Sequence, residues 1–431
     1  MVMENRYDKY KDSGIAWIGE IPEHWGLTLV KSIFNRRTKK NNPILTEERL
    51  SLSIEKGVTL YSEKTTNLDR FKEDFTQYQI AYPNDIVLNS MNMIVGAIGI
   101  SHYLGCVSPV YYVIAPKDKN INVNYYGYLL NNFRIRNLYH ALGEGIYAID
   151  RGEGRINTCR LKVSYDKFGS IIVPIPSINE QLSIATYLDQ KCSKIDELIT
   201  LQEEMITKLQ SYKQSVITEA VTKGLDKNVP LKDSGIEWIG NIPEHWEVKR
   251  LKNVCSQINI KENSKKNSLP YIGLENIESG SGRYIDTTSE VEGMANRFWK
   301  NNVLFGKLRP YLSKVYLAEK GGICSTEFIV YDTKSNNCRF IHKLLLSQAF
   351  IDVVNSSTYG AKMPRANSEF INNIYVQIPP LSEQQSIANY LDKKCSEIDE
   401  LISIKQQKIE KLKDYKKSLI FECVTGKRKV S

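Results

Sequence analysis

The 431-residue chain lacks the features that mark membrane-spanning, secreted and zinc-binding proteins. Its longest apolar run, residues 93–100, is far too short to cross a bilayer. The first residues, MVMENRYDKYKDSG, are polar and lack the apolar core of a signal peptide. None of the eight cysteines forms a Cys-x-x-Cys pair or stands at zinc-ligand spacing beside one of the five histidines. We therefore expect a cytoplasmic protein with reduced, mostly buried thiols and no metal site.

Catalytic motifs are missing as well. There is no Gly-x-x-x-x-Gly-Lys-Ser/Thr phosphate loop, and no Gly-x-Gly-x-x-Gly loop follows a strand-like run. The NNPI turn at residues 41–44 lacks the second proline and the aromatic ring of the Asn-Pro-Pro-aromatic turn of adenine methyltransferases. The formal net charge of +9 is compatible with a polyanionic partner, although many soluble proteins of this charge bind nothing acidic. These features favour a binding subunit over an enzyme.

Two segments of the sequence occur twice. KDSGIAWIGEIPEHW at residues 11–25 returns as KDSGIEWIGNIPEHW at 232–246, and we call these segments the first and second heads. VPIPSINEQLSIATYLDQKCSKIDELI at 173–199 returns as VQIPPLSEQQSIANYLDKKCSEIDELI at 376–402, and each copy begins a tail. The two offsets are 221 and 203, so the two middles between head and tail differ in length by 18 residues. The ends of the two copies match, whereas their middles differ in sequence and length. This duplication indicates a scaffold that presents two different recognition surfaces of the same general kind.

The tails predict two long helices. A proline precedes each tail helix, Glu180 or Glu383 stands in its first turn, and no glycine follows until Gly224 or Gly426. Apolar residues recur at spacings of three and four, as in a coiled-coil seam. The predicted seam residues are Leu188, Cys192, Ile195, Leu209, Tyr212, Leu391, Cys395, Ile398, Leu412 and Tyr415. Each helix of about 40 residues would be about 60 Å long at 1.5 Å per residue.

Two matching helices in one chain can bury their apolar stripes against each other. The duplication implies a pseudo-two-fold axis, which makes an antiparallel pair the expected geometry and brings the two ends of the chain together. A parallel zipper between two chains stays open as an alternative. The fold class that we predict is α+β, with two similar α+β domains separated by two long helices packed as an antiparallel coiled coil.

The heads and middles have different roles in this reading. The tryptophans of the heads form either an exposed aromatic platform or, as we favour, a hook that plugs into its own domain. Strand-like runs and two helical stretches make both middles α+β. Basic and aromatic residues in the expected loops of the middles are the natural donors to phosphates and guanine edges. These DNA-binding candidates are Arg36, Arg37, Tyr147, Arg151, Arg155, Lys307, Arg309, Lys314, Tyr359, Lys362 and Arg365.

The chain resembles the specificity subunits of type I restriction–modification systems over nearly its whole length. The resemblance rests on the doubled SGI-x-WIG-x-IPEHW heads, the doubled IP-x-x-x-EQ-x-x-IA-x-YLD-x-K helix starts, and DIVLNS and VLFGKLRPYLSKV in the middles. The first middle has NMIVGAIGIS where the second has the basic LRPYLSKV run, so a basic contact role does not transfer to it. The resemblance implies two target-recognition domains, each reading one half of a split DNA target.

It also implies a subunit without catalytic activity of its own. Two modification subunits would bring S-adenosylmethionine and methylate adenine, and restriction subunits would bring ATP- and magnesium-dependent translocation and cleavage. The domains that we expect are target-recognition domain 1 at 1–178, a central helix at 179–223, target-recognition domain 2 at 224–380, and a C-terminal helix and tail at 381–431. The alternative function is a duplicated carbohydrate- or protein-binding scaffold without DNA specificity.

Overall fold

A computed structural model describes residues 6–64, 75–146, 160–264, 269–287, 293–358, 360 and 363–430. The chain divides into two compact units. The first unit comprises Met1–Leu201 and Lys408–Ser431, and the second comprises Gln202–Gln407. These units cut across the four predicted segments because each long helix contributes one end to each unit.

The first unit contains most of the first half of the chain. Its strands are β1 (Tyr10–Asp12), β2 (Glu20–Pro22), β3 (Gly26–Leu29), β4 (Phe34–Arg37), β5 (Leu50–Ser53), β6 (Gly57–Leu60), β7 (Gln79–Ala81), β8 (Ile86–Asn89), β9 (Ile98–Ile100), β10 (Gly105–Val107), β11 (Tyr111–Pro116), β12 (Glu144–Ile146), β13 (Arg160–Lys162) and β14 (Ile172–Ile175). Its helices are α1 (Val30–Ile33), α2 (Val123–Asn131), α3 (Phe133–Leu142) and α4 (Tyr165–Gly169), followed by the start of the long helix α5 (Ile178–Lys223).

The second unit repeats this plan. Its strands are β15 (Leu231–Asp233), β16 (Asn241–Pro243), β17 (Glu247–Arg250), β18 (Ser256–Ile258), β19 (Lys261–Asn263), β20 (Tyr271–Ile272), β21 (Met294–Phe298), β22 (Val303–Gly306), β23 (Val315–Leu317), β24 (Gly322–Cys324), β25 (Phe328–Asp332) and β26 (Tyr375–Ile378). Its helices are α6 (Leu251–Val254), α7 (Cys338–Leu346), α8 (Gln348–Ser356) and α9 (Ser368–Asn373), followed by the start of the long helix α10 (Leu381–Val424).

The two middles build the same central sheet although their sequences differ. The order β4-β11-β8-β9 in the first unit matches β18-β25-β22-β23 in the second, and every pairing is antiparallel. Ile86 pairs with Ile100 and Ile114. Val303 holds the same place opposite Leu317 and Tyr331. The predicted α+β character of both middles is therefore confirmed.

The peripheral sheets differ between the units. The second unit adds a four-stranded sheet, β19-β21-β24-β20, in which β20 runs parallel to β24. The first unit has the separate two-stranded pairs β5-β6 and β10-β7 instead. Another difference lies before the ends of the middles, where residues 143–161 follow α3 and the shorter segment 358–364 precedes Arg365. Much of the 18-residue length difference falls in this segment, as the spacing of the basic residues indicated.

A glutamate in the first turn and a glycine after the last turn occur in both long helices, whereas Ser177 before α5 corresponds to Pro380 before α10. Before α5, Ser177 and Glu180 bond reciprocally: the Ser177 amide donates to the Glu180 carboxylate over 3.2 Å, and the Glu180 amide lies 3.4 Å from the Ser177 hydroxyl. Gly224 and Gly426 follow the last turns with φ of 75° and 74°, a left-handed conformation that favours glycine. The helices contain 46 and 44 residues. None of the helices in the described part of the chain is long and apolar enough to span a membrane.

The two long helices pack antiparallel within one chain. In the first unit the early part of α5, with Leu188 and Cys192, shares an apolar cluster with Leu419 and Cys423 near the end of α10. In the second unit the roles are exchanged, since the clustered residues are Val216, Ile217, Ala220 and Val221 of late α5 with Ile387, Ala388, Leu391 and Cys395 of early α10. The predicted antiparallel pairing is confirmed.

The buried stripe differs from the predicted seam at its tyrosines. Six predicted seam residues are buried, namely Leu188, Cys192, Ile195, Leu391, Cys395 and Ile398. Tyr212 and Tyr415 are instead 56% and 49% exposed. The lysine that follows each tyrosine faces the other helix instead. Lys213 bonds Asp399 over 2.8 Å, and Lys416 bonds Asp196 over 2.6 Å. Leu209 and Leu412 are only partly buried.

Candidate nucleic-acid interface

Each head is locked onto the first turn of its own long helix. The indole nitrogens of Trp25 and Trp246 donate to Glu180 and Glu383, each over 3.0 Å. The adjacent histidines, His24 and His245, lie 2.8 Å and 2.6 Å from the same carboxylates. These two indoles are fully buried, as the hook interpretation predicts, whereas Trp17 and Trp238, the other tryptophans of the heads, are partly buried.

The Glu180 carboxyl shows how strongly this lock favours a charged acid. Partial burial opposes its ionisation, but hydrogen bonds from Trp25, His24 and Ser177 outweigh that effect and lower its pKa to about 2. A head that binds a carboxylate in this way needs the His-Trp pair and the glutamate together. The two repeated segments therefore depend on each other.

The glutamine after each glutamate ties the middle to the same helix start. The Gln181 side chain accepts from the Asn122 amide over 2.8 Å and donates to the Pro176 carbonyl over 2.9 Å. Gln384 makes the equivalent bonds to Asn337 and Pro379, both over 2.9 Å. Since Asn122 and Asn337 are the N-caps of α2 and α7, each Glu-Gln pair fixes a head and a middle to one point.

Each head also packs on the end of the other long helix. A Cβ on Gly224 would lie 3.2 Å from the Trp246 ring, and a Cβ on Gly426 would lie 3.0 Å from the Trp25 ring and would clash with Pro22. The Lys427 ammonium donates to the Ile18 carbonyl over 2.7 Å. The segment after α10 thus lies against the first head, as predicted for the two ends of the chain.

The basic candidates of the second unit meet at the turn between β22 and β23. The Arg309 amide donates to Pro364 over 2.7 Å, and the Ala366 amide donates to Lys307 over 2.9 Å. Arg309 adopts a left-handed φ of 52°, which sharpens the turn. Residues 307–314, which we call the second turn, are therefore joined by backbone hydrogen bonds to the segment containing Arg365. Sequence reasoning proposed both segments but could not show that they touch.

Arg365 is oriented by an acid that the sequence did not single out. Its Nε and Nη2 atoms donate to the two carboxylate oxygens of Glu327 over 3.1 Å and 2.8 Å. The Arg365 side chain is 46% exposed and that of Glu327 is 23% exposed, so the pair faces solvent. Glu327 precedes β25, and its carbonyl accepts from the Lys307 amide over 2.9 Å.

The other side chains of the second turn differ in their hydrogen bonding and exposure. The Lys314 ammonium donates to the Leu274 carbonyl over 2.6 Å, and partial burial lowers its pKa. Among the described residues, the buried Nε of Arg309 has no hydrogen-bond partner. Tyr311 is 52% exposed at the tip of the turn. Lys314 therefore serves the fold, while Arg309, Tyr311 and Arg365 line the surface of the turn.

The first unit has the same turn with different side chains. Residues 90–97, which we call the first turn, link β8 to β9 with the same length and the same central 3-10 turn as the second turn. The Val163 amide donates to Ser90 over 3.1 Å, as Ala366 donates to Lys307. By this register Lys162 occupies the place of Arg365, and Val110 occupies the place of Glu327.

The basic candidates of the first unit that the structure describes, Arg36 and Arg37, instead lie on the outer strand β4. The Arg36 guanidinium stands 4.9 Å from the ring centres of both Tyr112 and Tyr165. Arg37 bonds Asp85, a carboxylate that is 1% exposed, over 2.6 Å. Burial raises the Asp85 pKa, and Arg37 acts against that rise. Arg37 therefore compensates a buried charge, whereas Arg36 is exposed and held between two rings.

Five candidates, Tyr147, Arg151, Arg155, Tyr359 and Lys362, lie outside the described residues. Across the part of the chain that the structure describes, no group of three or more His, Cys, Asp or Glu side chains is arranged to hold a metal ion. The seven described cysteines are free thiols.

Comparison with known proteins agrees with these features. Residues 243–414 match the family described as the type I restriction modification DNA specificity domain. The chain is 22% identical over 276 residues to the EcoDI specificity subunit of Escherichia coli, covering 59% of this chain and 62% of that subunit. It is 24% identical over the full length of both chains to the putative MjaX specificity subunit of Methanocaldococcus jannaschii.

A solved structure shares the fold. One chain from a study of complex assembly and conformational transition of the type I R-M system superposes with a TM-score of 0.67 at 13% identity. The match covers 94% of this chain and 98% of that chain. At this identity the likeness concerns the fold alone.

Proposed function

We propose that this chain, which matches the specificity subunits of type I restriction–modification systems, is the non-catalytic subunit that recognises a bipartite DNA target. Each unit reads one half of the target. The observation that carries the proposal is the pair of equivalent turns, which present Asn92 and Lys162 in one unit and Lys307, Arg309 and Arg365 in the other. Two units that recognise different DNA sequences need equivalent turns with different polar side chains, and this chain has both.

Two linked readers also explain the duplicated architecture. One unit that reads a few base pairs gains about 1–3 kcal/mol of discrimination per pair. Linking two units makes the second engagement intramolecular, so that the two selectivities multiply. The antiparallel helix pair then sets the gap between the half-sites.

Catalysis belongs to the partner subunits in this proposal. Two modification subunits dock on the pseudo-symmetric frame of heads and helices and supply S-adenosylmethionine, and restriction subunits supply ATP- and magnesium-dependent cleavage. The assembly acts on double-stranded DNA in the cytoplasm. This chain contributes the two reading surfaces and the frame that positions its partners.

The proposal is tested by DNA selection with the chain bound to its modification partner. Duplexes randomised over about 20 base pairs are selected at several salt concentrations. We expect a motif of two short specified blocks around an unspecified gap, with affinity that falls as salt rises because phosphate contacts release counterions. Binding without base preference, or binding insensitive to salt, would instead support the protein- or carbohydrate-binding alternative.

The role of the helices has its own test. Four residues inserted at matching positions of α5 and α10 add about 6 Å of helix, close to two base-pair steps of about 3.4 Å. We expect the preferred gap to lengthen by one or two base pairs while both specified blocks stay the same. An unchanged gap would show that the helices do not set the spacing.

A further inference from the structure

We propose that Glu327 is a positioning residue that fixes Arg365 so that its free edge reads one guanine in the half-site of the second unit. This inference rests on the proposed function, and it adds a base and a residue pair to it. The starting point is the two-point bond between them, in which Nε and Nη2 of Arg365 each donate to a different oxygen of Glu327.

Among the described residues, the bond leaves the reading edge of the guanidinium available. A guanidinium has five N–H donors in a rigid plane, and Glu327 engages two of them. The remaining donors include a pair on Nη1 and Nη2 that point away from Glu327. Two parallel N–H groups of this kind match the O6 and N7 acceptors of guanine in the major groove, which is the commonest specific arginine contact.

Both members of the pair are anchored through their backbones. Arg365 forms an antiparallel bridge with Leu308, and its neighbours Pro364 and Ala366 bond to Arg309 and Lys307. The carbonyl of Glu327 accepts from the same Lys307 amide group that begins the second turn. An arginine held at its backbone and at its guanidinium loses less rotamer entropy when it binds a base, so the contact is preorganised.

Stability alone does not account for an ion pair at this place. Pairs between exposed side chains contribute little to folding, and Arg365 is nearly half exposed. A carboxylate beside Lys307 and Arg309 also weakens the attraction of the turn for phosphates. Orientation of Arg365 is the effect that this geometry supplies.

The first unit provides an internal contrast. Val110 stands where Glu327 stands, and Lys162 stands where Arg365 stands. An apolar side chain cannot orient a cation, and a lysine ammonium is a point charge on a flexible stem. Among the described residues, the oriented arginine–carboxylate pair at this turn is therefore found in the second unit and not at the equivalent place of the first.

The test is selection of duplexes by the chain with its modification partner, comparing wild type with Arg365→Ala, Arg365→Lys, Glu327→Gln and Glu327→Ala. The matched control is Lys162→Ala in the first unit. We expect Arg365→Ala to lower the preference for guanine at one position of one block by about tenfold or more. Both Glu327 variants should reduce that same preference several-fold, and Arg365→Lys should not retain it.

The block read by the first unit serves as the folding control for the Arg365 and Glu327 variants, since its base preferences stay those of the wild type if the protein is intact. Lys162→Ala must leave the guanine position unaltered. The inference is overturned if the Glu327 variants keep the full guanine preference, if they weaken binding equally for all bases, or if Arg365→Ala changes no single position. Loss of the proposed function itself looks different, because the wild-type complex would then select no motif at all.

Discussion

The first and second units carry the same four-stranded sheet and the same eight-residue turn, but the side chains of the two turns differ. The second turn is basic, and Arg365 beside it is held by Glu327. At the first turn serine and asparagine replace the basic residues, and the exposed Met91 and Val95 lie on its surface. The side chains of the turn thus diverge on a central sheet that keeps its strand order.

The frame, which consists of the heads and the ends of the long helices, keeps the same contacts in both units. Trp25 and Trp246, Glu180 and Glu383, and the terminal glycines make equivalent contacts in both units. These residues contact one another rather than the surface of the turns. The difference between frame and turns predicts that frame substitutions damage folding of one unit, whereas turn substitutions change only what that unit reads.

The largest effect is expected from truncating the buried indoles. Trp25→Ala and Trp246→Ala each remove a fully buried ring and its bond to a carboxylate, at a cost of about 3–5 kcal/mol. Hydrogen exchange should show faster opening in the first unit for Trp25→Ala and in the second for Trp246→Ala. Equal loss of protection in both units, for either variant, would contradict the description of two separate locks.

Alanine substitutions at Gly224 and Gly426, the glycines after the two long helices, should destabilise the two units by different amounts. Both positions have left-handed φ, which costs an alanine about 1–2 kcal/mol. Gly426→Ala should destabilise more than Gly224→Ala because its Cβ would also clash with Pro22, whereas the Gly224 Cβ would stand 3.2 Å from an indole. Urea unfolding of the two variants measures the order, and the reverse order would show that the packing around Pro22 relaxes freely.

The two ion pairs between the long helices should differ in how much each contributes to stability, although this difference is smaller than those above. The Lys213 side chain is 10% exposed, whereas that of Lys416 is 29% exposed. Asp399→Ala leaves the more buried ammonium without its partner and should cost about 1–3 kcal/mol, against less than about 1 kcal/mol for Asp196→Ala. Thermal unfolding of the matched variants checks this, and equal losses would mean that burial does not distinguish the pairs.

Acid sensitivity should give the smallest and most local effect. Because the Glu180 pKa is lowered from 4.5 to about 2, its ionised form adds stability that is fully present above about pH 4.5 and is lost as pH falls toward 2. The difference in unfolding free energy between wild type and Glu180→Gln should therefore shrink across that range. A difference that stays constant from pH 6 to pH 2.5 would contradict the charged lock.

The sequence predicted the frame well because the duplication displays it. Two copies of the same heads and helix starts, with matched periodicity, favour an antiparallel pair whatever lies between them. The inward lysines were missed because a lysine in an apolar stripe normally points outward, and only the facing aspartate of the other helix reverses this. The lysines and aspartates recur at a spacing of 203, which could have identified both pairs.

The reading surface was only partly predictable. Arg309 and Arg365 stood out by residue type, but Glu327 lies in a strand-like run where an acid attracts no attention. Its pairing depends on contact between segments 38 residues apart, and composition or periodicity contains no such information. The equivalence of the two turns was likewise hidden, since it follows from strand register and not from residue identity.

Exchange of the turns tests the central claim most directly. Residues 307–314 are replaced by SMNMIVGA, the sequence of the equally long first turn, and the assembled complex is used to select randomised duplexes. We expect the block read by the second unit to change while the other block and the gap remain those of the wild type. Simultaneous change of both blocks, or of neither, would contradict an unchanged frame that carries two independent readers.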